Sequence, residues 1–230
     1  MRGRFVMAMA LGVVLAACGG DDKGGGGSSS GGGGSAPPAA KGTPWTPEQL
    51  AALTAVDVPG YERKDGTSAP TDARWSYTRE TPTEGGATLT IRVHAGTCAD
   101  PSLCVSTDPT SPMNSGYAKQ SKAALEARGM KDPTVKLTSV DLPGGRKGMR
   151  LWTRGYAEKP SAVAGIMDRE VSQLMSIRWT DSSNGVELVA TVMTKGEIKS
   201  REEFEKTMPE EDTLTALIEV FGTLARAFPK

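Results

Sequence analysis

Thr88-Leu89-Thr90-Ile91-Arg92-Val93-His94-Ala95 alternates without a break, placing Leu89, Ile91, Val93 and Ala95 on one side and Thr88, Thr90, Arg92 and His94 on the other. A period of two marks a strand with one buried and one solvated face. Such a strand needs neighbours, and two hairpins downstream supply them. Residues 135–142 and 147–156 flank Pro143-Gly144-Gly145, and residues 171–180 and 186–194 flank Asp181-Ser182-Ser183-Asn184-Gly185. Both connections are rich in residues that tolerate tight or positive-φ turns, so each pair is predicted to run antiparallel. In the second pair Met175, Ile177 and Trp179 face one way, as Val186, Leu188, Ala190 and Val192 do on the partner.

Upstream, residues 74–80 read as a strand with Trp75 and Tyr77 on one side. Val56, Val58, Pro59, Gly60 and Tyr61 read as a strand or extended lead-in. Thr46-Pro47-Glu48 is a helix start, with a hydroxyl cap, a proline whose missing N–H costs nothing there, and an acid near the positive end; the helix is predicted to reach Leu53. A second helix spans 114–128, with Gly129 placed to end it and Tyr117, Ala118, Ala124 and Leu125 as a thin apolar side. Leu214, Leu217, Ile218, Phe221, Leu224, Ala225 and Phe228 recur at three and four, a wide stripe that lies against the sheet. A membrane-surface helix would want a Lys/Arg band where this one carries Glu219 and Arg226. The fold class is α+β: an antiparallel sheet of about six or seven strands flanked by helices, after a disordered Gly/Ser-rich tether.

The N-terminus states an address. Leu15-Ala16-Ala17-Cys18 closes an apolar run that begins just after Arg2 and Arg4. A basic head, an apolar core and small residues before a cleavage point make a secretory signal, and the run is too short to span a bilayer as a helix. With cysteine as the first mature residue, this order resembles the bacterial lipobox. The resemblance implies a lipoprotein in which Cys18 carries a diacylglycerol and its freed amine is acylated by a chain such as palmitate; a signal peptide with a chance cysteine is the plainer alternative. Several acyl chains, at about 0.8 kcal/mol per buried methylene, anchor stably where one would bind reversibly. Gly19 follows the cysteine, and Asp21 and Asp22 come only later, so the enterobacterial inner-membrane retention aspartate is out of place and outer-membrane sorting is expected.

Residues 1–17 are thus expected to be a signal peptide, 18–43 the lipidated cysteine with a flexible linker, and 44–230 a single globular α+β domain. The tract from Gly19 to Thr43 is glycine and serine with little charge and cannot bury enough apolar surface to order itself. As a Gly-rich coil its root-mean-square span is roughly 25 to 30 Å. It lacks the flanking strand and helix that a phosphate-cradling glycine loop requires.

The chain carries 27 basic and 27 acidic residues, and loss of Arg2 and Arg4 leaves a net charge near −2. No basic field exists to draw nucleic acid or an anionic membrane surface. With Cys18 lipidated, Cys98 and Cys104 form an even pair in an oxidising compartment and are expected to make a disulfide that shapes a short loop, whereas their spacing is not that of a Cys-x-x-Cys metal or redox motif.

Over the mature domain, Val58-Pro59-Gly60-Tyr61 near the start, a central helix before the hairpins and Leu224-Ala225-Arg226-Ala227-Phe228 at the close resemble bacterial lipoproteins of the PsbP-like or Mog type. The resemblance implies a small α/β/α domain and a binding or assembly factor.

Candidate chemistry is sparse. His94 is the single histidine, so a His-based metal cage is excluded, no metal or cofactor is expected, and neither a Gly-x-Ser-x-Gly elbow nor a phosphate-loop lysine motif occurs. Glu202-Glu203, Glu205 and Glu210-Glu211-Asp212 read as solvated helix starts rather than paired catalytic acids. Arg150, Trp152, Arg154 and Tyr156 alternate along one strand. They form the candidate binding surface, two aromatics between guanidinium groups that suit a sugar, an anion or a peptide, unless the rings pack beneath a helix while the arginines snorkel outward. The expectation is an outer-membrane, lipid-anchored envelope module that binds a protein or polysaccharide. The alternatives are an envelope hydrolase with a non-contiguous site or a carrier of a small apolar ligand.

Overall fold

Thr46 opens the first helix as a closed capping box: Gln49 N donates to Thr46 Oγ1 at 3.3 Å and Thr46 N donates to Gln49 Oε1 at 2.8 Å. The computed structural model that shows this describes residues 45–80, 88–98, 106–163, 165–181, 184, 186–195 and 200–229. Helix α1 is Pro47–Thr54 and buries Leu50 and Leu53. The expected lead-in at 56–61 is a turn instead. Gly60 sits at φ +80° and Tyr61 N donates to Val58 O at 3.1 Å, which reverses the chain into strand β1, Glu62–Ala69.

Six further strands follow: β2 Asp72–Glu80, β3 Thr88–Thr97, β4 Thr134–Leu142, β5 Arg146–Pro160, β6 Met167–Asp181 and β7 Val186–Lys195. They form one sheet in the order β1-β2-β3-β7-β6-β5-β4, antiparallel at every pairing. Two meanders, β1 to β3 and β4 to β7, are thus sewn together where β3 lies beside β7. Helix α2, Pro112–Ala127, lies between them in sequence, and α3, Arg201–Thr207, and α4, Glu210–Ala225, follow β7.

Directly paired residues share a sheet face. One continuous apolar face therefore runs through Tyr77, Ile91, Val192, Met175 and Trp152, with Trp75, Val93, Ala190, Ile177 and Trp179 alongside. Helices α1 and α4 pack on this face: Leu50 and Leu53 from the first, and Leu217, Val220, Phe221 and Leu224 from the second. At one end Trp179, Phe221, Phe228 and Trp45 form a ring cluster. Phe228 stacks on Trp179 with centroids 5.1 Å apart, tilts against Trp45 at 5.1 Å and meets Phe221 edge-on at 5.9 Å.

Helix α2 lies over β4 and β5 on the opposite face. It ends in a full Schellman motif, Gly129 N donating to Glu126 O and Met130 N to Leu125 O, with Gly129 at φ +86°. The accompanying apolar contact is the small second core of Leu125, Met130 and Ala157 with Val135 packed against it. The apolar side expected of this helix is narrower than the sequence suggests, because Tyr117 and Ala124 are exposed and only the C-terminal end reaches the sheet. Its N-terminal end is tied by polar bonds, with buried Asn114 donating to Ser106 O at 2.9 Å and Asp108 O at 2.7 Å. Among the described residues no helix is long and apolar enough to cross a membrane.

Two glycine substitutions separate backbone space from helix propensity. At Gly66, where the β1–β2 register shifts, an added Cβ would run into the Arg74 carbonyl, whereas at Gly116 in α2 it meets nothing. Urea denaturation should show Gly116→Ala stabilising by about 0.5–1 kcal/mol and Gly66→Ala destabilising. An equal response at both sites would contradict the placement of β1.

Candidate functional site

The register of β5 puts Arg150, Trp152, Arg154 and Tyr156 on one face, as the alternation requires, but on the face that the helices cover. Trp152 is 2% exposed. Arg154 reaches α3: its Nη2 donates to Phe204 O at 2.6 Å, its Nη1 pairs with Glu205 at 3.0 Å, and its guanidinium lies 4.5 Å over the Phe204 ring. Gln173, the residue paired with Arg154 across β6, donates to the same carbonyl at 2.8 Å. Four carbonyls at the end of a helix lack intrahelical partners and carry the negative end of its dipole, so a guanidinium from the sheet caps α3.

Arg150 serves α4 in the same manner. Its Nη2 pairs with Glu210 in the first turn at 3.1 Å, its Nε donates to Thr138 Oγ1, and Lys136 meets the same carboxylate at 2.7 Å. The expected binding stripe is therefore a clamp on α3 and the start of α4. The arginines turn inward to acids instead of snorkelling out, because Glu205 and Glu210 stand directly above them. Tyr156 alone reaches the rim, its ring 5.2 Å from Phe204 and its hydroxyl donating to Glu158 Oε1 at 2.6 Å.

The acidic run divides accordingly. Glu202 and Glu203 lie in the first turn of α3 and Glu210, Glu211 and Asp212 in that of α4. Glu202 is held below the usual carboxylate range by the Lys206 hydrogen bond, and Glu170 by Lys159 and then Arg128. Glu158 is lowered first by the Tyr156 hydroxyl and then by Arg169, while burial, followed by that same carboxylate, raises Tyr156. Glu158, Glu170 and Glu202 are thus stabilised as anions, the opposite of what a proton donor needs.

His94 lies beside Asp72, Nε2 to Oδ1 at 3.2 Å, and Asp72 also receives Arg74 Nη2 at 2.8 Å. All three belong to the second sheet face. There the register lines up Lys64, Ser76, Arg92, Thr191 and Ser176 across five strands, β1-β2-β3-β7-β6, with Arg74, His94, Val189 and Arg178 in the next row. Lys64, Arg74 and Arg92 are exposed, and Ser76, Thr191 and Ser176 are half-buried. Arg178 is paired with Glu187 at 3.4 Å, whereas Lys64 and Arg92 have no ionic or hydrogen-bond partner among the described residues. No described helix lies over this part of the sheet. Its signal in the sequence was the polar half of the alternation in β3, which names Arg92 and His94 but not the neighbours that the register supplies.

Cys98 follows the end of β3; Cys18 and Cys104 lie outside the described residues. Comparison with known protein families, with curated proteins and with solved structures finds no match to this chain.

If Arg154 is a helix clamp, Arg154→Ala should lower stability in urea by about 2 kcal/mol, the order of a hydrogen bond to a charged group, and Arg154→Lys by less. Unchanged stability would contradict the clamp.

Proposed function

We propose that this chain is a lipid-anchored envelope lipoprotein whose folded unit binds another envelope component without transforming it. The observation that carries the reading is the order of parts. Leu15-Ala16-Ala17-Cys18 is followed by a glycine- and serine-rich tract, then by a sheet whose second face exposes Lys64, Arg74 and Arg92. Fatty chains on Cys18 would hold the protein at a membrane, and a coil of about 25 residues would let the domain sample a shell roughly 25 to 30 Å deep. Confinement of this kind raises the effective concentration of the domain toward any polymer or protein in that shell, so a modest surface suffices for occupancy. Outer-membrane sorting follows from Gly19 in place of an aspartate. In an exported compartment Cys98 and Cys104 would pair as a disulfide.

Expression of Cys18→Ser in a bacterial host is the test. The parent should partition with the membrane fraction, gain mass equal to its acyl groups and lose residues 1–17, and should take up a pair of hydrogens on reduction. The variant should remain an unprocessed precursor without acyl mass. Unchanged processing and partitioning of the variant would refute the anchor.

A further inference from the structure

The row Lys64-Ser76-Arg92-Thr191-Ser176 holds two cations without partners among the described residues, set in a line of hydroxyls. Neighbouring strands lie about 4.8 Å apart, so the row spans roughly 19 Å and its two cations stand roughly 10 Å from one another. Between and beyond them are hydroxyls, each both donor and acceptor. The remaining charges of the face are largely paired among the described residues: Asp72 is bridged by Arg74 and His94, and Glu187 by Arg178, while Glu62 stands exposed two residues before Lys64 in β1. An exposed arginine without a carboxylate partner, in a line of hydroxyls, suits a ligand that carries isolated acid groups among alcohols.

We propose that this face binds an anionic polysaccharide laid across the strands, a polyuronate-type chain whose carboxylates engage Arg92 and Lys64 while its hydroxyls meet Ser76, Thr191 and Ser176. This rests on the reading of the chain as an envelope binding module and specifies its partner. Cation spacing selects among polyanions. Alternate side chains of an extended acidic peptide recur at about 6.8 Å, short of the separation between the two cations, whereas acid groups on alternate sugars match it. An anionic bilayer would need a broad basic field, and among the described residues this face offers two unpaired cations. The planar fork of Arg92 suits a carboxylate bidentately, and Lys64 acts as a point charge.

The test uses the purified full chain in detergent, immobilised and presented with polygalacturonate at low salt, alongside neutral dextran, poly-glutamate and phosphatidylglycerol vesicles. Polygalacturonate should bind and dextran should not. Arg92→Gln should weaken binding about tenfold, Lys64→Gln less, and Lys119→Gln on the exposed side of α2 not at all. No binding of polygalacturonate, equal binding by a folded Arg92→Gln variant, or tighter binding of poly-glutamate or vesicles would overturn the assignment. Lys64 is an exposed edge residue, so Lys64→Gln carries the test should Arg92→Gln fail to fold. Membrane attachment is not read in this assay, so its failure overturns the surface assignment alone, and failure of the Cys18 experiment overturns the anchoring alone.

Discussion

The pairing of β3 with β7 makes one sheet out of two meanders, and it also sets the parity of everything else. Ten residue pairs, from Thr88 opposite Lys195 to Thr97 opposite Val186, place Ile91 with Val192 and Val93 with Ala190 beneath the helices, and in the same stroke place Arg92 with Thr191 on the far side. A slip of one residue would bring Arg92 inside and turn Ile91 out. Burying an unpaired guanidinium costs several kcal/mol, so the register is strongly specified even though the two strands lie about a hundred residues apart in the chain. The apolar face and the polar face are thus a single constraint seen from two sides.

Helices α3 and α4 hold that register from above through a different kind of contact. Leu217, Phe221 and Leu224 supply apolar area, but area alone does not fix where a helix sits along a sheet. Arg154 on the Phe204 carbonyl and Glu205, and Arg150 on Glu210, are directional, and they place the end of one helix and the start of the next over positions of β5 on either side of Trp152. Trp152 between them is sealed. Side chains that looked like a recognition stripe instead spend their chemistry on helix termini.

Much of the architecture was legible because strands with one buried face print their period in the sequence. The alternation of β3, the antiparallel pairing of the two hairpins, the Thr46 cap and the closing amphipathic helix all came out in the structure, together with the strand number of the α+β sheet. Strand β1 was not legible: Glu62–Ala69 is an edge strand, exposed along nearly its whole length, and carries no period. The turn at Val58 to Tyr61 read as extended because valine and tyrosine favour strands, while Gly60 decided the local path. The Arg150 to Tyr156 stripe was legible, and so was the alternative in which its rings pack beneath a helix, but the inward pairing of its arginines with Glu205 and Glu210 was not, since α3 and α4 return to it from about fifty residues away. The row through Arg92 depends on registers among five strands, and only its β3 member is marked by a local pattern.

Val93 lies beneath the helices while Arg92, its neighbour in β3, is exposed on the other face, and both faces of the sheet depend on that placement. Cysteine introduced at Val93 and, separately, at Arg92, with the parent's own thiol signal subtracted, tests it through the rate of maleimide labelling in the native state. Labelling should be rapid at 92 and slow at 93, limited there by opening of the fold. Comparable protection at both positions, or faster labelling at 93, would contradict it.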